Sequence, residues 1–149
     1  MMKLLVISCL MAVTLAQVAW IPFNNNLYHI NNNKLNWYAA NEFCLQQNAD
    51  LTSINSEAEQ EFVASLIKIK NEWAWIGGFR VTPFNKFVWT DGSAFSYTNW
   101  KAGSYPLANP SFNCLDITHN DLDHSGAPLN NKWTNWGCEN QAPSICKKR

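Results

Sequence analysis

The chain has 149 residues, 11 Lys plus Arg against 11 Asp plus Glu, and 47% hydrophobic but only 15% charged side chains. That length holds one domain with a sizeable core, and a formal net charge of zero gives no electrostatic footprint for a phosphate backbone, which argues against nucleic-acid binding. Eight Trp, eight Phe and four Tyr exclude a disordered polar chain, and six Gly and six Pro spread along the sequence exclude a repeat array or a collagen-like segment.

The chain opens with Lys3, an apolar run from Leu4 to Val13, and then Thr14, Leu15 and Ala16. This is the order of a signal peptide: charged start, apolar centre, small residues at the cleavage point. The run is about 12 residues, too short to cross a bilayer core that needs about 20. The expectation is a signal peptide at 1–16, no membrane insertion, and a secreted, extracellular domain over 17–149. Cleavage removes Lys3 and Cys9, leaving ten basic against eleven acidic residues and four cysteines: Cys44, Cys114, Cys138 and Cys146. An even count in a secreted chain points to two disulfides. Spacing alone leaves the three possible pairings open.

The first expected element is a β-prone stretch from Trp20 to Ile30, with Asn31, Asn32 and Asn33 as a turn. Asn36 is a helix cap, and Trp37, Ala39, Ala40, Phe43, Cys44 and Gln47 follow at helical spacing. Ser56 with Glu59 makes a capping box for a second helix, whose apolar positions are Ala58, Phe62, Val63, Leu66 and Ile67. Short aromatic runs follow, Trp73 to Ile76 and Phe87 to Thr90, punctuated by Gly77-Gly78 and Asp91-Gly92, so the second half reads as strands and loops. Two long loops are expected, from Lys101 to Pro110 and from Thr118 to Asn131, and binding sites sit in such loops. Trp75, Trp89, Trp100 and Trp133 lie in apolar strands beside turn residues and are best read as core fillers.

Several motifs then stand in a telling order: Leu35-Asn36-Trp37-Tyr38-Ala39-Ala40 to Cys44, Trp75-Ile76-Gly77-Gly78, Trp89-Thr90-Asp91-Gly92, Tyr97-Thr98-Asn99-Trp100, Cys114, Trp133 to Cys138, and Cys146. In this order the chain resembles the C-type lectin domain over nearly the whole expected mature sequence. The resemblance implies an α+β, C-type lectin-like fold: two helices flanking two small antiparallel sheets, with a long loop region carrying the ligand site. It also implies the pairings Cys44–Cys146 and Cys114–Cys138, in the short form that lacks a further N-terminal pair.

In that family a calcium ion in the long loop usually coordinates sugar hydroxyls through hard oxygen ligands. The ligands come from a Glu-Pro-Asn or Gln-Pro-Asp triplet, an acid just before the third cysteine, and an Asn-Asp pair after a Trp. This sequence departs at each point. The available triplets are Tyr105-Pro106-Leu107 and Asn109-Pro110-Ser111, Phe112 and Asn113 precede Cys114, and the last motif reads Trp133-Thr134-Asn135. Between Asp91 and Cys114 there is no Asp or Glu at all, and fewer charged ligands push calcium affinity toward the millimolar end. No cofactor and no metal are therefore expected, with calcium the one ion that the resemblance would bring.

Acids do gather after Cys114, at Asp116, Asp121 and Asp123, beside His119 and His124. Asp121 to Gly126 imitates half of a calcium loop, but Lys132 stands where the closing Glu belongs, and the two His have no diagnostic zinc spacing. The expectation is a solvated acidic loop. What replaces calcium is an aromatic and amide surface of Tyr105, Asn109, Phe112, Asn113, Thr134, Asn135 and Trp136. Aromatic faces bury the CH patches of sugars, and amides satisfy hydroxyls as donor and acceptor. The sequence thus points to a carbohydrate-binding protein of weak or no calcium dependence, with glycans on a cell or microbial surface as partners. A calcium-independent module for a cell-surface or extracellular protein is the alternative. Enzymatic chemistry is not expected, since no Gly-x-Ser-x-Gly elbow occurs and no His lies in a motif that orients a nucleophile.

Overall fold

The computed structural model describes residues 18–68, 72–82, 85–102, 111, 113–118 and 131–149. The expected signal peptide at 1–16, Tyr105, Asn109, Phe112 and the stretch from His119 to His124 lie outside them. The described residues form strands β1 (Ile21–Phe23), β2 (Asn26–Leu35), β3 (Asp50–Leu51), β4 (Trp73–Val81), β5 (Lys86–Trp89), β6 (Cys114–Thr118), β7 (Trp133–Trp136) and β8 (Ala142–Lys148). The helices are α1 (Trp37–Gln46) and α2 (Glu57–Ser65).

The strands run in the order β1-β2-β8-β4-β6-β7, with β3 on β8 and β5 on β4. Every pairing is antiparallel except β4 with β8, which meet in the single parallel pair Trp75↔Ser144. The sheet is thus two antiparallel parts, β1-β2-β8-β3 and β5-β4-β6-β7, joined where β4 runs beside β8, and with two helices this is the α+β arrangement expected. The four cysteines pair Cys44–Cys146 and Cys114–Cys138, with Cα atoms 5.4 and 5.2 Å apart. The first bond ties α1 to β8; the second ties the start of β6 to the turn after β7.

The N-terminal hairpin turns elsewhere than expected. Asn24 and Asn25 take φ of 45° and 61°, and the register closes at Phe23↔Asn26. A two-residue hairpin loop needs positive φ at both central positions, which Asn tolerates. Asn31 to Asn33 instead lie inside β2, where the register against β8 shifts between Asn31 and Leu35. The Asn31 side chain accepts the Asn33 amide at 3.1 Å, so this run bends a strand rather than ending it.

Both helix starts follow local capping. Asn36 Oδ1 accepts the Ala39 amide at 2.9 Å, and α1 buries Trp37, Ala40 and Cys44. Ser56 Oγ accepts the Glu59 amide at 3.2 Å, but Glu59 does not complete the box. Its Oε2 accepts the Asn55 amide at 2.8 Å, and its Oε1 accepts the Tyr28 hydroxyl and the Lys147 ammonium, both at 2.6 Å. Lys147 is buried in β8, and a buried ammonium needs a carboxylate more than the helix needs a second cap. The inward face of α2 is Glu59, Gln60, Val63 and Ala64. Ala58 is exposed, and Leu66 and Ile67 are buried just beyond the helix end.

Gly77 and Gly78 are not punctuation but the middle of β4. A Cβ on Gly77 would fall 2.4 Å from the Leu51 carbonyl oxygen, and one on Gly78 would fall 2.1 Å from Leu115 Cδ1. Small size at these two positions lets β3 and the Leu115 side chain approach β4. Gly92, with φ of 73°, does mark a turn. Trp75, Trp89 and Trp133 are buried core residues, and Trp100 packs part-buried against the same core. Gln60 accepts the Trp133 indole N–H at 2.6 Å, which satisfies the ring's only polar atom.

Candidate functional site

Strand β7 pairs with β6 as Cys114↔Trp136, Leu115↔Asn135, Asp116↔Thr134 and Ile117↔Trp133. Alternation along the strand buries Trp133 and Asn135, half-buries Thr134 and leaves Trp136 45% exposed. The outer edge of β7 is covered by the segment from Asn99 to Lys101. There the Trp133 amide donates to the Asn99 carbonyl and the Lys101 amide to the Trp133 carbonyl, both at 2.9 Å, and Lys132 donates its ammonium to the Asn99 side chain.

The chain just before this segment is held to α2. The Tyr97 hydroxyl donates to Glu57 Oε2 at 2.6 Å; burial, then this bond to a carboxylate, push its pKa well above the usual phenol value. On the far side of 103–112 the Arg80 amide donates to the Asn113 carbonyl at 2.8 Å, and the Cys114–Cys138 disulfide follows at once. The described residues on either side of 103–112 are therefore anchored on the β4-β6-β7 sheet.

Of the residues expected to bind ligand, Asn113, Thr134, Asn135 and Trp136 come together at the Cys114 end of β6 and β7. Asn113 is half-buried, Asn135 is buried, and Trp136 is the side chain with the largest exposed face among the four. Tyr105, Asn109 and Phe112 belong to the stretch outside the described residues.

Asp116 corrects the expectation of a solvated acidic loop. It sits in β6 at 2% exposure, and both of its carboxyl oxygens lie within hydrogen-bond reach of Thr134 Oγ1, at 2.7 and 2.8 Å. A hydroxyl has one proton and can donate to only one of those oxygens. The other contact is satisfied when the carboxyl carries a proton and donates it back. Burial pushes the Asp116 pKa up to about 7, against the smaller opposing pull of the Thr134 hydrogen bond. Thr134, expected to face ligand, spends its hydroxyl on this acid. The sequence signal for it was the polar residue itself, in the otherwise apolar run Cys114 to Ile117.

These donors do not fit the calcium ion that the fold family implies. A calcium shell draws its affinity from anionic oxygens, and the carboxylate nearest in sequence and register is buried, half-protonated near neutral pH and turned onto Thr134. The position of the family's acid after the Trp is Asn135, and the loop from 92 to 113 carries no Asp or Glu. Among the described residues no group of three or more His, Cys, Asp or Glu side chains could hold a metal.

The chain belongs to the lectin C-type domain family, whose sequence profile matches residues 33–148. Human C-type mannose receptor 2 is 32% identical over 135 residues, which cover 87% of this chain but only 8% of that receptor's length. Mouse lithostathine-2 is 32% identical over 131 residues, 85% of this chain and 71% of that protein. Among solved structures, an SPL-1 complex with GlcNAc superposes with a TM-score of 0.73 at 26% identity, covering 87% of this chain and 91% of that one. The matched domain, residues 33–148, is of a family of binding domains rather than enzymes. No helix among the described residues is long and apolar enough to cross a membrane.

Proposed function

We propose that this chain is a secreted glycan-binding protein whose carbohydrate site works with little or no calcium. The observation that carries the reading is the chemistry at the Cys114 end of β6 and β7. Trp136 offers an exposed aromatic face at the end of β7, while the one acid built into these strands, Asp116, is buried and engaged. Aromatic stacking and amide hydrogen bonding are what remain for holding a sugar, with Tyr105, Asn109 and Phe112 contributing from the adjoining loop. The complex of the relative SPL-1 with GlcNAc supports a glycan as the class of ligand.

The test is binding of the oxidised protein, residues 17–149, to a broad glycan panel in millimolar calcium and in chelator. Binding that persists in chelator and falls at least about tenfold, or 1.4 kcal/mol, in Trp136→Ala is the expected result. Binding abolished by chelator would overturn the reading of the donor set. Silence on every glycan in both conditions would overturn the glycan assignment and direct attention to a protein partner.

A further inference from the structure

A concavity lies beside α1, lined from α1, β3 and β4. Because α1 buries Trp37, Ala40 and Cys44, its outer side carries Tyr38 and Leu45, 57% and 50% exposed. Seven residues apart, they stand on one helical stripe with Asn41 between them. Together with Trp37, Phe79 and Asp50 they line a cavity of about 430 Å³.

Its aromatic walls are packed in advance. Trp37 meets Tyr38 edge to face and Phe79 at a tilt, each with centroids 5.7 Å apart. The Trp37 indole N–H is held by the Ile76 carbonyl at 2.9 Å. The single charged group on the wall is Asp50, whose backbone is fixed by pairing with Lys147 across β3 and β8. Its carboxylate forms no ion pair among the described residues. Burial first, and repulsion from Asp91 second, push its pKa above the usual carboxylate value, so a positive charge brought beside it would meet a partly desolvated anion.

We propose that this groove is a second ligand site, taking a small organic cation with an apolar or aromatic body and one ammonium group. Apolar and aromatic walls with one placed charge, at this volume, are the make-up of a small-molecule pocket. Aromatic faces beside a carboxylate favour a cation over a neutral body of the same shape. The apolar stripe also stops at the groove. The neighbouring exposed positions on α1 are Ala39, Glu42 and Gln46, the last two hydrogen-bonded to each other at 3.2 Å. A protein partner, which covers about 800 Å² on each side, would find little further apolar surface there.

The experiment is a two-dimensional NMR titration of the oxidised protein with phenylbutylammonium chloride, and in parallel with neutral phenylbutanol. Saturable shifts are expected at Tyr38, Leu45, Phe79 and the Trp37 indole, with the alcohol binding about tenfold more weakly. Asp50→Asn should lose the cation's advantage and bind both compounds alike. Leu45→Ser, on the exposed wall, should weaken both compounds in a protein of unchanged fold. Equal affinity for cation and alcohol in the wild type would overturn the proposal, as would shifts centred on Trp136 or the absence of saturation. Trp136→Ala should leave binding of both compounds unchanged, which keeps this test separate from glycan binding at β7.

Discussion

Asp116→Asn separates the charge of this buried carboxyl from its shape. In the folded protein the group titrates at about 7, whereas in an unfolded chain an Asp titrates near 3.9. The folded state therefore binds more protons than the unfolded state across that window. Its contribution to stability is fully present below about pH 4 and is lost as pH rises through about 7. Integrating the proton difference for these two values, the loss between pH 5 and pH 8 is about 2.5 kcal/mol. The group is 2% exposed, so solvent screening does not discount this. An amide keeps the donor and acceptor that face Thr134 Oγ1 and cannot ionise. Urea unfolding of the oxidised wild type and variant at pH 5 and pH 8 checks the reasoning. The wild type should lose about 2.5 kcal/mol more than the variant over that interval, with the variant within about 1 kcal/mol of wild type at pH 5. Parallel pH profiles for the two proteins would refute the assignment of a protonated, reciprocally hydrogen-bonded Asp116.

Other substitutions probe the frame that holds the candidate site. Lys147→Met leaves Glu59 buried without its cation and should cost about 3 to 5 kcal/mol in urea unfolding, whereas the double variant with Glu59→Gln should recover part of that loss. Replacing Cys44 and Cys146 by Ser opens a loop with a sequence separation of 102, against 24 for Cys114 and Cys138. In the chain-entropy account the costs are about 4.7 and about 3.4 kcal/mol, so thermal unfolding should fall further for the first pair. Gly77→Ala places a methyl 2.4 Å from the Leu51 carbonyl oxygen, which is backbone and cannot swing aside. A loss of about 1 to 3 kcal/mol by denaturant unfolding is expected.

The parts of the fold legible in the sequence are those set by groups only a few residues apart. Asn36 and Ser56 cap their helices through amides three residues on, and three of the four strand tryptophans are buried as their apolar surroundings imply. Elements set by distant partners depart from their local sequence signals. Asn24-Asn25 and Asn31 to Asn33 look alike locally, and only the register of β2 against β8 decides which of them turns. Gly77-Gly78 reads as a break until β3 and Leu115 are seen to press on it. Glu59 reads as half a capping box until a Lys 88 residues away claims its carboxylate.

The candidate site divides along the same line. Composition alone establishes that the loop from 92 to 113 lacks acidic side chains, and so limits what a calcium ion could find there, because ligand chemistry is a property of residue type. Which cysteines bond, whether Asp116 meets water or Thr134, and that Tyr38, Leu45, Phe79 and Asp50 share one groove depend on strands and helices brought together from far apart in the chain. Desolvation and proximity exist only once those elements are packed, and it is these that set the charge state of a buried acid and the shape of a pocket.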